Sequence, residues 1–411
     1  MREAKRARWG WSVVAAAMFA CGWGGNQFTP LLTLYRQANG DSATVVDALL
    51  GAYVLGLAPA LLLGGPLSGR HGHRRMVMIA LGCSLLGSGA LAAGTLASLA
   101  IGRLLSGVAV GLGMAVGTTW VGELTQASGR SRAAGARRAS LALTAGFGIG
   151  AGVAGVLAQW GPLPETLPYL VQLVFAAAVL LAVSRAPAPR PTGVAATGLR
   201  PQVPALGHPR FRRLVLPMAP WVFGAAGVAY AIVPQALARQ VGHLALIYAT
   251  ALSVLTLGAG VLVQPLARRL DDARRPRAIL VGMVSVTLGI ALAAFAVALG
   301  SPTWGILAAV VLGAAYGIAL VAGLVEVQRI STGEDRAALT GVYYALSYVG
   351  FLLPTALSVA KGQLGTASEL GAVSLLALAS TLVIHRSRDL PPPGVGRPTA
   401  DARLELTGAK A

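Results

Sequence analysis

The sequence predicts an all-α polytopic membrane protein, with twelve transmembrane helices in two pseudo-symmetric six-helix bundles. Three observations predict it. Of 411 residues, 55 % are hydrophobic and 11 % charged, with a mean hydropathy of +0.69; soluble domains carry about a quarter charged residues. The chain divides into twelve apolar stretches of the length that spans a bilayer, about 20 residues of helix. Its Arg and Lys residues cluster in alternate connections. The same composition excludes a disordered chain, which needs low hydrophobicity and high charge.

The stretches run near 12–35, 45–67, 75–95, 98–122, 137–160 and 165–185, then 213–236, 243–266, 277–299, 302–326, 338–360 and 366–385. None alternates with the two-residue period of a membrane strand, and backbone groups in lipid must pair internally, so each is read as a helix. The basic start MREAKRAR ahead of an apolar run resembles a signal peptide. The run continues through Pro30 and eleven more follow, so it is read as the first span. Residues 1–11 form a cytoplasmic N-terminus, 12–185 the N-terminal bundle, 186–211 a cytoplasmic linker, 212–386 the C-terminal bundle and 387–411 a cytoplasmic tail. The linker is rich in Pro, Gly and Arg, the composition of an extended or flexible connection.

Orientation follows from charge. All but four of the 33 Lys and Arg fall in the termini and in loops on one side; the exceptions are Arg36, Arg239, Lys361 and Arg103, the last inside a span. The positive-inside rule assigns that side to the cytoplasm, with both ends inside; the excess of Arg over Lys, with abundant Ala and Gly, resembles the coding of a GC-rich bacterial genome, so a bacterial inner (plasma) membrane is expected. The net charge of +19 is therefore a topology signal, and no nucleic-acid partner is implied. Trp9, Trp11, Trp160 and Trp304 fall at span ends, where amphipathic rings anchor at the headgroup level. Cys21 and Cys83 both sit in apolar runs, which indicates neither a disulfide framework nor a Cys metal site.

The two halves repeat a plan. PLSGR at 66–70 matches PLARR at 265–269, Glu123 and Glu326 each end a fourth span, and Pro30 and Pro234 each sit late in a first span. The offsets are 199, 203 and 204 residues, near enough constant for parallel repeats about an axis normal to the membrane.

Specific loop motifs add to this. GPLSGRHGHRR between the second and third spans resembles the G-x-L-a-D-R-x-G-R-R pattern of the major facilitator superfamily. It matches at Gly65, Leu67, Arg70, Gly72 and Arg74, with Gly69 in the Asp position and His73 in place of a usual Arg. Gly72 permits a tight turn. The resemblance implies that Arg70 and Arg74 meet Glu123, at the negative end of its helix dipole, and hold the cytoplasmic side closed in one state. Asp271 and Asp272 beside Arg268 and Arg269, or Glu326 with Arg329 or Arg336, offer the second half's version.

The fourth span carries RLLSGVAVG, similar to the family's R-x-x-x-G-x-x-x-G, with Arg103, Gly107 and Gly111. Glycines four apart share a helix face and admit a close neighbour. An intramembrane Arg is expensive unless paired or solvated; Asp47 is the nearest acid at comparable depth, so an Asp47–Arg103 pair is expected to couple transport to protons. In the fifth span, Gly146, Gly150 and Gly155 match part of the glycine pattern of the family's drug–proton antiporters. Ala151 and Ala154 depart from it.

Substrate sites in such folds lie between the halves near mid-membrane. Asn26 and Gln27, costly in lipid, are expected there, with Trp23, Tyr53, Trp221, Tyr230, Tyr316, Tyr344 and Tyr348 as aromatic walls. Tyr230 precedes Pro234 by four residues, as Asn26 precedes Pro30. No G-x-x-x-x-G-K-[ST] loop is present, so ATP hydrolysis by this chain is not expected. No enzyme motif, cofactor or metal site is implied either. The expected function is alternating-access secondary transport by a monomer, with proton-coupled efflux of a small, fairly apolar compound. Uptake symport or facilitated passage of a neutral solute is the alternative. A non-transporting membrane receptor is the reading from another class.

Overall fold

A computed structural model describes residues 2–38, 43–186, 203–272, 274–332, 335–360 and 365–390. At 2–8, 36–38, 43–44, 46–47, 132–133, 337 and 360 it describes the backbone alone. Among the described residues every regular element is helical. The first half consists of α1 (Arg2–Asn26, resumed as Phe28–Ala38), α2 (Ala43–His71), α3 (His73–Ala92), α4 (Leu96–Ala127), α5 (Arg132–Trp160) and α6 (Leu167–Ser184). The second consists of α7 (Phe211–Ala236), α8 (Ala238–Arg269), α9 (Arg277–Ala298), α10 (Pro302–Ile330), α11 (Arg336–Val349, continuing through Leu353–Ala360) and α12 (Gly365–Arg386). Eleven of these are long and apolar enough to cross a membrane, and the interrupted α1 makes the twelfth. They form two six-helix bundles.

Proline sets the irregularities. Pro30 lacks an N–H and its ring crowds the carbonyl four residues back, at Asn26; α1 breaks at Gln27. Pro234 does the same to Tyr230, and α7 loosens there into a π-helical turn over Val228–Ile232. The proline-minus-four positions, Asn26 and Tyr230, therefore sit where the two helices deform. α7 is buried along most of its length, since it packs inside its own bundle and against the other half.

Small residues let the rods touch. A Cβ on Gly107 or Gly111 would press on α2 backbone at Tyr53 and Leu57, and one on Gly146 or Gly150 on α1 at Phe19 and Trp23. Gly155 serves a different contact, between the halves, where its surface lies against Thr250 of α8. Gly72 closes the α2–α3 turn at φ +83°, a conformation open to glycine at little cost. Gly65 has open space around it.

At the end away from the basic loops, α5 and α8 hold together. Gln159 Nε2 donates to the His243 carbonyl (3.2 Å), and the Ile247 amide donates to Gln159 Oε1 (3.2 Å). Val254 faces Gly152 about two turns further along. Toward the basic end Gly148 of α5 meets only open space, and Ser140 is exposed. α2 and α11 touch along a longer line, from Gly51 against Leu352 to Leu62 against Gly341.

Candidate functional site: a buried cation in an aromatic cavity

The halves enclose a central cavity of about 20 Å³, room for a single water. Asn26, Thr29, Tyr53, Arg103 and Phe147 line it from the first half, and Phe223, Tyr230, Tyr316, Tyr348 and Phe351 from the second. α1 contributes Asn26 at its break, where Nδ2 donates to the Phe147 carbonyl of α5 (3.0 Å) and Oδ1 accepts from Thr29 (2.8 Å).

Arg103 dominates the electrostatics. It is 2 % exposed. Nη1 donates to the Gly25 carbonyl (2.9 Å) and Nε to the Leu49 carbonyl (3.3 Å). The guanidinium lies 4.4 Å from the Tyr53 ring centroid and 4.9 Å from that of Phe28, contacts worth about 2 kcal/mol each when desolvated. Carbonyl dipoles and π faces steady a cation without neutralising it. No carboxylate forms an ion pair with Arg103 among the described residues, nor does one line the cavity. The expected partner, Asp47, has its side chain outside the described residues.

The aromatic wall is continuous across the halves. Tyr53 and Tyr348 approach to 6.1 Å between centroids, Tyr348 stacks on Phe223 at 4.0 Å, and Phe223 meets Tyr316 at 5.5 Å. Phe351 lies 5.0 Å from Phe223 and 6.2 Å from Tyr230. Tyr348 OH reaches the Met114 sulfur of α4 at 3.6 Å.

Four expected cavity residues lie elsewhere: Tyr344, beside Tyr343 on α11 (5.7 Å between centroids), and three that face other parts of the bundles. Gln27 turns into the first bundle, where Nε2 donates to Ser88, Ser88 to Gln172, and Gln172 to Ser84. One residue past Asn26 on a helix is about 100° around the axis, so the two amides cannot face the same way. Trp23 stacks on Phe175 at 5.5 Å beside Gly150, inside the first bundle. Trp221 points to α12, its Nε1 donating to Ser380. Tyr316 lines the cavity as expected, while Phe147, Phe223 and Phe351 are cavity residues outside the expected set. Proximity to Pro234 identified only Tyr230, and nothing local in the sequence marks the others.

The basic ends of the helices carry two charged clusters. In the first half Glu123 takes a hydrogen bond from His73 Nε2 (3.2 Å), while His73 Nδ1 sits against the Ser68 hydroxyl. This corrects the expectation for Arg70 and Arg74. Both are exposed and form no ion pair among the described residues, because the loop turns the imidazole, not the guanidiniums, toward α4.

In the second half Glu326, 2 % exposed, is held by Arg210 on two sides, Nε to Oε1 and Nη2 to Oε2 (3.1 Å). Arg329 Nη1 bonds Oε2 as well (2.7 Å), and its Nη2 reaches both oxygens of Asp271 at 2.9 Å. Arg210 Nη1 also donates to the Leu390 carbonyl, beyond α12 (3.0 Å). Arg210 escaped notice because it reads as one of several arginines in a linker. Asp272 is separate: the Arg274 amide donates to Oδ1 (2.8 Å) and, with weaker help from Arg275 and Arg277, holds its carboxyl below the ordinary value.

Comparison with known proteins yields a consistent fold. The family model described as Major Facilitator Superfamily matches residues 13–355. A gallate transporter of Pseudomonas putida is 32 % identical over 165 residues, 36 % of this chain and 35 % of that protein, so the match spans about a third of the relative. The inward-open xylose transporter XylE from E. coli superposes with a TM-score of 0.69 at 15 % identity, over 96 % of this chain and 98 % of that one. The nucleoside transporter NupG superposes with a TM-score of 0.67 at 15 % identity, over 92 % and 98 %.

Proposed function

The chain belongs to the major facilitator superfamily, and on that premise we propose that it carries a small aromatic carboxylate across the membrane by alternating access. It is a transporter and not an enzyme. One observation carries the proposal: Arg103 is buried in an aromatic cavity where, among the described residues, backbone carbonyls and ring faces hold it and no carboxylate pairs with it. A cation so placed attracts an anion strongly, since charge-assisted bonds strengthen where water is excluded. One guanidinium suits one carboxylate. Phe223, Tyr348 and Phe351 suit a ring, whose offset or edge contacts with aromatic side chains add to its burial. The relative named for gallate, itself a benzoate, agrees with this chemistry.

The cavity as it stands is too small for such a solute, so loading requires the halves to part. We assign uptake in place of the efflux expected from the fifth span. Ala151 and Ala154 break that pattern, and another structural neighbour, with a TM-score of 0.70, is a D-xylose–proton symporter. Proton coupling through Asp47, two residues before the Leu49 carbonyl that holds Arg103, belongs to the same proposal. So do a monomeric working unit and both termini on the cytoplasmic side of a bacterial inner membrane, supported by the distribution of arginine.

The test is uptake of labelled benzoate into proteoliposomes. Benzoate and its hydroxylated forms are expected to compete, and the uncharged benzamide is not. Arg103→Gln is expected to weaken binding by about 10- to 100-fold, the worth of hydrogen bonds to a charged group. Equal competition by benzamide overturns the assignment.

A further inference from the structure

We propose that Tyr230 and Tyr316 select hydroxylated benzoates over benzoate itself by hydrogen-bonding the ring hydroxyls. The inference rests on the aromatic-carboxylate reading above and adds the chemistry of the opposite wall. Arg103 stands on α4, in the first half; Tyr230 on α7 and Tyr316 on α10 line the same cavity from the second half. Both tyrosines are more than nine-tenths buried, at 3 % and 6 % exposure. Neither hydroxyl makes a hydrogen bond among the described residues.

A buried phenol ordinarily finds a partner. Tyr343 donates to the Ala319 and Leu320 carbonyls, Tyr248 to the Pro302 carbonyl, and Tyr35 pairs with Tyr169 at 2.9 Å. All of those serve packing. Tyr230 and Tyr316 instead line the cavity, where phenylalanine would fill the same space without a polar group to satisfy.

A solute anchored through its carboxylate at Arg103 presents the far edge of its ring to the second half. Hydroxyls on that edge both donate and accept, as the tyrosine hydroxyls do, so each side satisfies the other. A site built to bond a solute hydroxyl penalises the analogue lacking it, since its own polar groups then stay buried and unpaired. The arrangement also divides the work between the halves: the first reads charge, the second reads ring substitution. Full engagement then requires both halves to close on the same molecule.

The first measurement needs no variant. Benzoate, 4-hydroxybenzoate, 3,4-dihydroxybenzoate and 3,4,5-trihydroxybenzoate compete against labelled trihydroxybenzoate in proteoliposomes of the full chain. Affinity is expected to rise with hydroxyl number, by about tenfold from the first to the last. Equal affinities along the series overturn this inference and leave the carboxylate reading standing; failure of every member to bind overturns both. Tyr230→Phe and Tyr316→Phe are expected to contract the trihydroxybenzoate-to-benzoate ratio toward one. Arg103→Gln lowers affinity across the series and keeps the ratio. Retention of the full ratio in both tyrosine variants overturns the assignment.

Discussion

In the first half Glu123 meets an imidazole in a pair whose carboxylate is 44 % exposed. In the second, Glu326, its counterpart 203 residues on, is sealed between two guanidiniums at 2 % exposure. The positions repeat but the chemistry does not. An exposed pair gains little, because water solvates each partner nearly as well as the other does. A buried charge has no such alternative and depends on every bond it makes. Arg210 enters α7 directly from the linker and also holds the Leu390 carbonyl past α12, so the second cluster ties the first and last chain segments of its half together. The first fastens one loop.

The sharpest way to break this comparison is to remove one member of the buried pair. Arg210→Ala or Glu326→Ala is expected to destabilise the protein by about 3–5 kcal/mol, read from denaturant or thermal unfolding in detergent micelles. The double change to apolar residues of similar size is expected to recover most of that loss, because no lone charge is left behind. Single variants that unfold like the parent would show that the network is ornamental.

A smaller effect is expected in the first half. Glu123→Gln should cost less than about 1 kcal/mol, as exposed pairs do. His73→Arg, which restores the usual residue of the motif, should leave unfolding unchanged within the same margin. A cost for Glu123→Gln equal to that for Glu326→Ala would erase the distinction between the halves.

Asp272 gives the smallest expected effect and a direction with pH. Amide and arginine contacts hold its folded-state carboxyl below the ordinary value. The unfolded chain therefore takes up the proton first as pH falls. The contribution is complete above the ordinary carboxylate range, about 4, and is lost as pH drops through the lower folded value. In Asp272→Asn this part of the acid slope of the melting temperature should be absent; an unchanged slope would count against the loop geometry.

Much of this was legible beforehand. Helix number and approximate bounds follow from runs of apolar residues, and the deformations at Asn26 and Tyr230 follow from Pro30 and Pro234. Arg103 stood out because a cation inside a span is costly. Of the latch partners, Arg329 for Glu326 was legible, while Arg210 and His73 were not. His73 was visible as a departure from the loop pattern, yet its contact with Glu123 depends on how the turn at Gly72 aims three neighbouring basic side chains. Gln27 was misplaced because hydropathy reports that a polar group is buried, without reporting against which neighbour.

The sequence alone determined the spans, the duplicated plan and the presence of one buried cation, since each is a one-dimensional property: length of apolar run, repeat offset, charge within a run. Tertiary structure decided what surrounds that cation. Phe223, Tyr316 and Phe351 reach the cavity from three helices of the other half, and Arg210 meets Glu326 across 116 residues of chain. Such meetings depend on the rotation of each rod about its own axis. Packing sets that rotation, through contacts as close as Gly107 against Tyr53 and Gly155 against Thr250.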